Sequence, residues 1–509
     1  MSEIEDNTPV VIGVGQYAET IGADGYRALS PMDVAGEALA AALADCNARE
    51  PVAPAIDTIG AIRQFEISFA AAQAPFGMAD NPPRAIAKRV GADPRRAILE
   101  HTGGQGPQKL LGELAQDIAD GESECAVLVG SEALSTMLHL LKNGERRDWS
   151  EEVGGQIEDR PYALDGLIDP AAMANGLNSP IPLYALFENA RRAKTGLDPD
   201  SYRLAMGELF APFTTVAAAN PYAAAPVERS AGELASVTER NRIVAEPFPR
   251  MMIARDQVNQ GAAIVLASAA KARELGVPQD RWVHIHASID AKEAPVLTRP
   301  DLSRSPASIA SVETALDVAG IALDNVSHID FYSCFPVAVF NQTDHFDLLP
   351  DDPRGFTLTG GLPFFGGAGN NYSAHAIAEA VQRARGNAGS WALVGANGGY
   401  MSKYSTGVYS TKPADWSQPR RLVLDDTIGG VDVADSFDGE AVVESYTVMP
   451  GKSGEKAMIA ARTKSGTRVA AMAAREDDAT RAAMRGIDPI GRRVTIIAGE
   501  NGRNWFRFV

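Results

Sequence analysis

Short apolar runs alternate with helix-like segments along most of this chain, and the alternation occurs twice. The first series has predicted strands near 9–16, 59–67, 95–100 and 125–130, with helices over 31–47, 83–91 and 107–120. A strand and a helix at 261–275 resume the order after an interruption. The second series has strands over 281–288, 326–333 and 390–396, with helices over 305–319, 336–348 and 372–386. This alternation is typical of βαβ units, so it predicts an α/β fold of two pattern-related halves on a largely parallel sheet.

Changes in composition and in the order of predicted strands and helices divide the chain into four predicted parts. Tryptophan, proline and paired charges interrupt the pattern between the two halves and indicate an insertion. The segment WSQPRR (416–421) is interpreted as a linker, and the short strands beyond it, with one small helix, predict a small barrel of the OB type. The parts are an N-terminal half (1–134 and 256–275), a loop-domain insertion (135–255), a C-terminal half (276–411) and an additional domain (412–509).

The net charge of −18 is unevenly distributed. Residues 412–509 carry 15 Lys and Arg against 14 Asp and Glu, so the negative excess lies in the first 411 residues. Such a field disfavours nucleic acid as a partner of the main body. Arginines near Trp505 suggest a nucleic-acid surface on the barrel, but the near-neutral charge of that part favours a surface for docking on the main body.

Composition also bears on compartment and metal content. No stretch approaches the ~18 uninterrupted apolar residues of a membrane helix, and the acidic N-terminus lacks a signal-peptide layout. Three cysteines are too few for a disulfide scaffold, and no CxxC or HExxH pattern indicates a metal site. The sequence predicts a cytoplasmic protein without a membrane partner or a metal site.

Four glycine-rich or polar stretches lie where predicted strands end and helices begin: 101–108, 332–336, 366–372 and 395–400. Ligands of open α/β sheets bind outside the carboxyl ends of the strands. Glycine lets backbone amides approach a ligand closely, and such amides can hold an oxyanion. Each stretch alone is also compatible with a tight turn between packed elements, so the four corresponding positions together carry the prediction of a site.

Motifs along the whole chain resemble the thiolase superfamily, and most closely the thiolase-like type 1 group with an extra C-terminal domain. The resemblance rests on TGGQGPQ, PLYALFEN, NPYA, DQVNQGAA, DFYSCFPVAV, GGLPFFGGAGNNY and ANGGYMSKYSTGVYST. It implies five αβαβα layers and acyl-coenzyme A (CoA) thioesters as substrate or ligand, with no permanently bound cofactor. It also implies a monomer or a homodimer.

The matching positions lack the usual thiolase chemistry. Gly103 stands at the position of the nucleophilic cysteine, Gly367 at that of the histidine and Ala396 at that of the late acid/base cysteine. The Asn–Glu pair that holds a water in thiolases falls near Ala338 and Val339. Claisen chemistry needs a nucleophile, a base and an acid, so a standard thiolase reaction is not expected.

The remaining polar residues form the predicted site. The candidate catalytic residues are Cys334, His375, Asn397 and Tyr332, and Cys334 precedes a predicted helix start that would favour a thiolate. The predicted acyl-CoA pocket consists of Gly103, Gly104, Gln105, Gly366, Gly367, Asn370, Asn371, Tyr372, Gly398 and Gly399. Alternatively, Cys334 and His375 are core residues and the two asparagines cap the following helix.

Three functions fit these residues. The first is acyltransferase-type chemistry on an acyl-CoA thioester, with Cys334 as the reactive thiol. The second is a retro-aldol carbon–carbon lyase in which tyrosine acts as base and loop amides stabilise an enolate. The third is a non-catalytic acyl-CoA-binding protein.

Overall fold

Eleven strands form one mixed sheet in the main body of the computed structural model, which describes residues 4–451, 454–474, 476–486 and 488–509. The strands of the main body are β1 (Pro9–Ala18), β2 (Thr58–Ala61), β3 (Arg96–Leu99), β4 (Cys125–Ala133), β5 (Glu158–Asp159), β6 (Ile243–Ala245), β7 (Phe248–Pro249), β8 (Asn259–Ser268), β9 (Val283–Lys292), β10 (Val326–Phe331), β11 (Trp391–Gly398), β12 (Lys403–Ser410) and β13 (Arg421–Val423). Among the described strands, β6 and β7 pair only with each other.

The helices of the main body begin mostly at proline. They are α1 (Pro31–Asp45), α2 (Pro82–Arg89), α3 (Gly106–Ala119), α4 (Leu134–Lys142), α5 (Pro170–Ala174), α6 (Pro180–Thr195), α7 (Pro199–Ala219), α8 (Ala231–Ala235), α9 (Ala269–Glu274), α10 (Pro306–Ala319), α11 (Pro336–His345) and α12 (Tyr372–Gly386). Proline suits the first helical position because that N–H has no partner within the helix.

The two halves have the same strand arrangement. The N-terminal half follows the order β2-β4-β8-β1 and the C-terminal half the order β10-β11-β12-β9. In each half the first pair is parallel and the next two pairs are antiparallel. Strands β1 and β9 join the halves through Val10–His284 and Val11–Val283. The predicted two-part α/β fold is confirmed.

The prediction of a largely parallel sheet is wrong. Strand β12 returns beside β11 through a tight turn at 399–402, so it runs antiparallel to β11 and to β9. The alternation pattern missed β12 because no helix separates it from β11. Helices α3 and α12 contact each other and strands of both halves, so they form the middle layer.

The additional domain is a closed barrel. It contains β14 (Val433–Ala434), β15 (Gly439–Met449), β16 (Lys456–Thr463), β17 (Arg468–Ala473), α13 (Asp478–Gly486), β18 (Arg493–Ala498) and β19 (Asn504–Phe508). Pairing of β17 with β19 closes the ring of β15 to β19. The predicted small C-terminal barrel is therefore confirmed, while the boundary at residue 412 stays a prediction.

The segment 416–421, which was expected to be a linker, is hydrogen-bonded to strand β9 of the main sheet. Trp416 Nε1 donates to the carbonyl of Ile285 at 3.1 Å, and the amide of Ser288 donates to the carbonyl of Arg420 at 2.8 Å. Strand β13 then pairs in parallel with β9. The interpretation of 416–421 as a linker is therefore wrong, because Trp416 and Arg420 bond to β9 and strand β13 begins at Arg421.

The barrel docks on helix α6 and on the segment before α10. Asn189 Nδ2 donates to the carbonyl of Tyr446 at 2.9 Å, and Ser445 Oγ donates to the carbonyl of Leu186. The Arg468 guanidinium is buried, donates to the carbonyls of Leu297 and Arg299, and pairs with Glu444 at 2.7 Å.

Within the described ranges, no helix is long and apolar enough to cross a membrane.

Replacing the buried arginine should weaken this docking. Arg468→Met should lower the free energy of unfolding by about 3 kcal/mol, because the carbonyls of Leu297 and Arg299 lose their buried donor and the half-buried Glu444 is left with its ion pair to Arg462. The exposed Arg493, 3.7 Å from Glu440, provides the control, and Arg493→Met should change stability by less than ~1 kcal/mol. Urea unfolding measures both, and equal effects would contradict the docking role.

Candidate active site

Two of the predicted loops are tied together by the amide of Asn370. The amide N–H of Gly103 donates to Asn370 Oδ1 at 2.9 Å, and Asn370 Nδ2 donates to the carbonyl of Arg63 at 2.7 Å. Gly103 has φ +134°, a conformation that favours glycine. Ser373 Oγ at the start of α12 donates to the carbonyl of Gly104. The 101–108 loop is therefore held directly by the 366–372 loop.

The other two loops close on Gly104. A Cβ atom at Gly104 would lie 2.1 Å from the Tyr332 hydroxyl and 2.6 Å from the carbonyl oxygen of Asn397, so glycine is required there. The half-buried Tyr332 ring packs edge-on against Tyr372 with a centroid distance of 5.3 Å. Among the described residues the Tyr332 hydroxyl has no hydrogen-bond partner. All four predicted loops thus meet at one place.

Cys334 lies in a small polar cluster within the core. Its side chain is buried, and Asn397 Nδ2 lies 3.8 Å from the sulfur and donates to the Tyr184 hydroxyl at 3.0 Å. The amide of Met401 also donates to that hydroxyl, at 3.1 Å. The Tyr184 ring stacks on Phe335 at 4.3 Å. Tyr184 comes from α6 of the insertion and was not a predicted site residue.

The expectation that a helix start stabilises a Cys334 thiolate is wrong. Burial raises the pKa of the Cys334 thiol to about 12, although the hydrogen bond with Tyr184 lowers it in part. At the start of α11, the amide of Val337 donates to Glu188 Oε2 at 2.8 Å. The carboxyl group of Glu188 thus occupies the N-terminus of α11, where the helix dipole would otherwise have stabilised a thiolate. Cys334 is a neutral thiol at neutral pH.

Glu188 is a fully buried carboxyl that the sequence reasoning missed. Burial raises its pKa to about 7, and the hydrogen bond from the Tyr202 hydroxyl at 2.6 Å lowers it in part. The signal in the sequence is a glutamate within the otherwise apolar run PLYALFEN of α6. An acidic side chain in such a run needs a buried partner.

His375 and Asn371 serve packing rather than the loop cluster. His375 Nδ1 bonds Gln16 Oε1 of β1 at 2.7 Å, and burial lowers the pKa of its ring to about 3. Asn371 Nδ2 donates to the carbonyl of Gly130 at 2.7 Å. Neither Asn371 nor Asn370 caps α12 through its side chain, so the capping interpretation is wrong.

Tyr372 also points away from the meeting point of the loops. Its hydroxyl bonds Thr359 Oγ1 at 2.7 Å and donates to the buried carboxyl of Asp330 at 3.2 Å. Burial raises the pKa of Asp330 to about 7, and hydrogen bonds from Leu358 and Thr357 lower it in part.

The predicted pocket glycines are packed closely by side chains. A Cβ at Gly398 would lie 1.8 Å from Gln105 Oε1, and one at Gly366 would lie 2.6 Å from Gln260 Oε1. The amide of Gly367 donates to the carbonyl of Arg255 at 2.7 Å, and Gly399 has φ +67°. At Gly398 and Gly366 the backbone therefore approaches these side chains so closely that another residue would clash.

Lys403, the first residue of β12, is a further polar group at the loops. Its Nζ donates to the carbonyls of Thr102 and Ala163 and lies 3.1 Å from the point that a Cβ at Gly103 would occupy. Burial lowers the pKa of Lys403 to about 8, while the charge of Glu100 raises it in part. Sequence reasoning missed this residue because β12 itself was not predicted.

The fold agrees with comparisons to known proteins. Residues 425–501 match the model of the thiolase-like protein type 1 additional C-terminal domain. The crystal structure of a monomeric SCP2-thiolase like protein type 1 from Mycobacterium smegmatis is 42% identical, covers 100% of each chain and has a TM-score of 0.84. A comparison with curated protein sequences finds no match.

More distant structures share the fold. The Ltp2-ChsH2(DUF35) aldolase is 16% identical, with 80% of this chain and 98% of that chain covered and a TM-score of 0.58. The acetyl-CoA acetyltransferase from Syntrophomonas wolfei is 16% identical, with 81% and 100% covered and a TM-score of 0.55. The paired half-sheets and their loop cluster define a protein of the thiolase fold. The full-length relation at 42% identity shows that the chain belongs to the SCP2-thiolase-like protein type 1 family, as the motifs predicted.

The thiol of Cys334 should react slowly in the folded protein. At pH 7.5, iodoacetamide should label Cys334 at least ~1000-fold more slowly than an exposed cysteine of ordinary pKa, because the thiolate is the reacting form. Cys46, whose pKa burial also raises to about 12, is the matched control. Mass spectrometry of the labelled peptides measures both rates. Rapid labelling of Cys334 alone would show that an activated thiolate exists.

Proposed function

We propose that this protein binds acyl-CoA thioesters at the loop cluster and cleaves a carbon–carbon bond next to the thioester, as a retro-aldol lyase. The observation that carries the proposal is the Tyr332 hydroxyl, which lies against Gly104 without a hydrogen-bond partner in the described chain. A free hydroxyl beside Gly104, the residue that follows the nucleophile position Gly103, suits hydrogen bonding to a substrate oxygen.

The electrostatics of Tyr332 favour the role of a donor. Removal of the ring from water and the nearby Cys334 raise the pKa of Tyr332 above its ordinary value, so the phenol stays protonated at neutral pH. A neutral phenol donates to the oxygen of a thioester enolate as charge develops there. This differs from the expectation from sequence that tyrosine acts as the base.

A group of arginines supports a phosphate-bearing ligand such as CoA. Arg229, Arg250 and Arg255 lie close enough for the charges of the first two to lower the pKa of Arg255, after the larger effect of its removal from water. The charge of Asp256 raises the pKa of Arg255 in part. None of the three arginines forms an ion pair with another described residue, so their guanidinium groups are available to a ligand. Arg255 also borders the loop cluster through its backbone bond to Gly367. Guanidinium groups bind phosphates in this way.

Acyl transfer through Cys334 is the second candidate. The contact between Asn397 and the sulfur favours it, since the amide could orient the thiol toward a thioester. Against it stands the raised pKa of the thiol, to which burial contributes most and the nearby Glu188 carboxyl adds. In this candidate the acyl group would reside transiently on Cys334.

Hydrogen exchange at the α-carbon distinguishes these functions without knowledge of the acyl group. With acetyl-CoA in D₂O, the wild-type protein should introduce deuterium at the α-carbon, because a lyase forms the enolate of its product. Tyr332→Phe should exchange ~100-fold more slowly, as for the loss of one oxyanion donor. Cys334→Ala should exchange at the wild-type rate, and mass spectrometry of acetyl-CoA measures all three.

The controls separate loss of chemistry from loss of fold. Tyr26→Phe removes a hydroxyl that bonds Thr136 Oγ1 at 3.0 Å outside the loop cluster, and it should leave exchange unchanged. An acetyl group found on Cys334, with no exchange, would favour the second candidate. Binding of acetyl-CoA by calorimetry without exchange or acylation would leave the non-catalytic binder.

We also propose that the protein is a monomer. Strand β5 of the insertion covers β3 at the edge of the sheet, where Arg96 Nε pairs with Glu158 Oε1 at 2.6 Å. An edge blocked by a short charged strand resists pairing with another copy. The related protein from Mycobacterium smegmatis is monomeric.

Light scattering after size-exclusion chromatography tests the oligomeric state. The expected mass is that of one chain, 53.9 kDa, at all loading concentrations. Glu158→Arg should detach β5 by repelling Arg96 and expose the edge of β3, so weak self-association is expected in that variant. A stable wild-type dimer would contradict the proposal.

A further inference from the structure

A small cavity lies beside Tyr332, between strands β10 to β12 and helices α10 and α11. Its volume is about 20 Å³. A single water molecule needs about 10–15 Å³, so the cavity has room for one or two small groups, such as a hydroxyl and the carbon that bears it. The residues around it include Ser311, Tyr332, Ala338, Gln342, Asn397 and Tyr404.

Two amide side chains that line this cavity each have an oxygen without a hydrogen bond. Asn397 is 4% exposed and Gln342 is 5% exposed. Asn397 Oδ1 and Gln342 Oε1 have no hydrogen-bond partner among the described residues. A buried acceptor without a partner is destabilising, so such atoms mark a place that a ligand or a water completes.

The nitrogen atoms of the same two amides are bound by the protein. Gln342 Nε2 donates to Ser308 Oγ, and Asn397 Nδ2 donates to the Tyr184 hydroxyl at 3.0 Å. The hydrogen of the Tyr184 hydroxyl is directed at Cys334, since its hydrogen bond lowers the pKa of that thiol in part. The hydroxyl oxygen therefore accepts from Asn397, and this orients the Asn397 amide. In both amides the nitrogen is engaged and the oxygen is left for the cavity.

The cavity adjoins the loop cluster through Tyr332 and Asn397. Both residues line it. The Tyr332 hydroxyl and the backbone carbonyl of Asn397 also border one point, that of a Cβ at Gly104, at 2.1 Å and 2.6 Å. A thioester held by the Tyr332 hydroxyl is therefore next to the cavity.

The chemistry of the lining selects the group that enters. All of the lining side chains are uncharged, so the cavity suits a neutral group. Two unpaired acceptors require a donor. A hydroxyl group donates a hydrogen, a ketone oxygen only accepts, and a methyl group does neither.

From this arrangement we infer that the cavity binds the β-hydroxyl group of a 3-hydroxyacyl thioester, whose hydrogen is shared between the amide oxygens of Asn397 and Gln342. The inference rests on the proposed lyase function and names its substrate class, because the substrate of a retro-aldol step carries a hydroxyl group on its β-carbon. The same two oxygens repel the ketone of a 3-oxoacyl thioester. Gln342 is thereby a specificity-determining residue that the sequence reasoning missed.

Three thioethers of CoA test this preference on the wild-type protein. S-(3-hydroxybutyl)-CoA, S-(3-oxobutyl)-CoA and S-butyl-CoA have the same carbon chain, and without a thioester carbonyl none of them can undergo retro-aldol cleavage. In calorimetry the hydroxybutyl thioether should bind at least ~10-fold more tightly than either of the others, because it alone satisfies the buried acceptors.

Substitution assigns the preference to the cavity. Gln342→Leu keeps a side chain of similar size but removes the acceptor, so it should lower the preference for the hydroxybutyl over the butyl thioether to less than ~3-fold. The exposed Gln382 of α12 provides the matched control, and Gln382→Leu should keep the full preference. The comparison on the wild-type protein stands by itself if Gln342→Leu does not fold.

The outcomes distinguish this inference from the proposed function. Equal affinity of the wild-type protein for the hydroxybutyl and butyl thioethers would overturn the inference, and the amide oxygens would then serve only an ordered water. A full preference in Gln342→Leu would overturn it as well. Deuterium exchange into acetyl-CoA without the preference would leave the lyase function intact. A wild-type protein that binds neither acetyl-CoA nor any of the thioethers would overturn both.

Discussion

The carboxylate of Glu188 links the insertion to the site. It accepts a hydrogen bond from the amide of Val337 at the first turn of α11 and another from Tyr202 of α7. Helix α6, which carries Glu188, also positions Tyr184 beside Cys334 and Asn189 against the barrel. One buried acid therefore fixes the helix that contacts both the loop cluster and the additional domain. Glu188 also accepts the hydrogen bond of the Val337 amide at the start of α11, so that amide is not available to a thiolate at Cys334.

Much of the fold follows from local patterns in the sequence. The helix starts at Pro31, Pro306 and Pro336 and the strand ends around Phe331 are set by residues within a few positions, so periodicity predicts them. The hairpin of β11 and β12 and the strap around Trp416 depend on pairing with β9, which is distant in sequence. No local signal encodes such pairing, so β12 was missed and the interpretation of 416–421 as a linker was wrong.

The same distinction applies to the site. The loops could be placed together because strands of one sheet bring their ends to one edge, and Tyr332 was named for that reason. The partners of Cys334 could not be predicted, because Tyr184 and Glu188 come from an inserted helix whose packing the pattern does not define. Resemblance identified the missing groups at Gly103 and Gly367, but only the structure shows that Lys403 stands beside the first of them.

The central claim is that an acyl-CoA thioester binds with its carbonyl at Tyr332 and its phosphates at the arginines around Arg255. A crystal structure with a 2-oxoalkyl thioether of CoA, which keeps the acyl oxygen but has no hydroxyl group for a retro-aldol step, tests it most directly. The account predicts the acyl oxygen within about 2.6–3.2 Å of the Tyr332 hydroxyl and a phosphate in contact with Arg255. An acyl carbon directed at the sulfur of Cys334, or CoA bound away from this loop cluster, would contradict it.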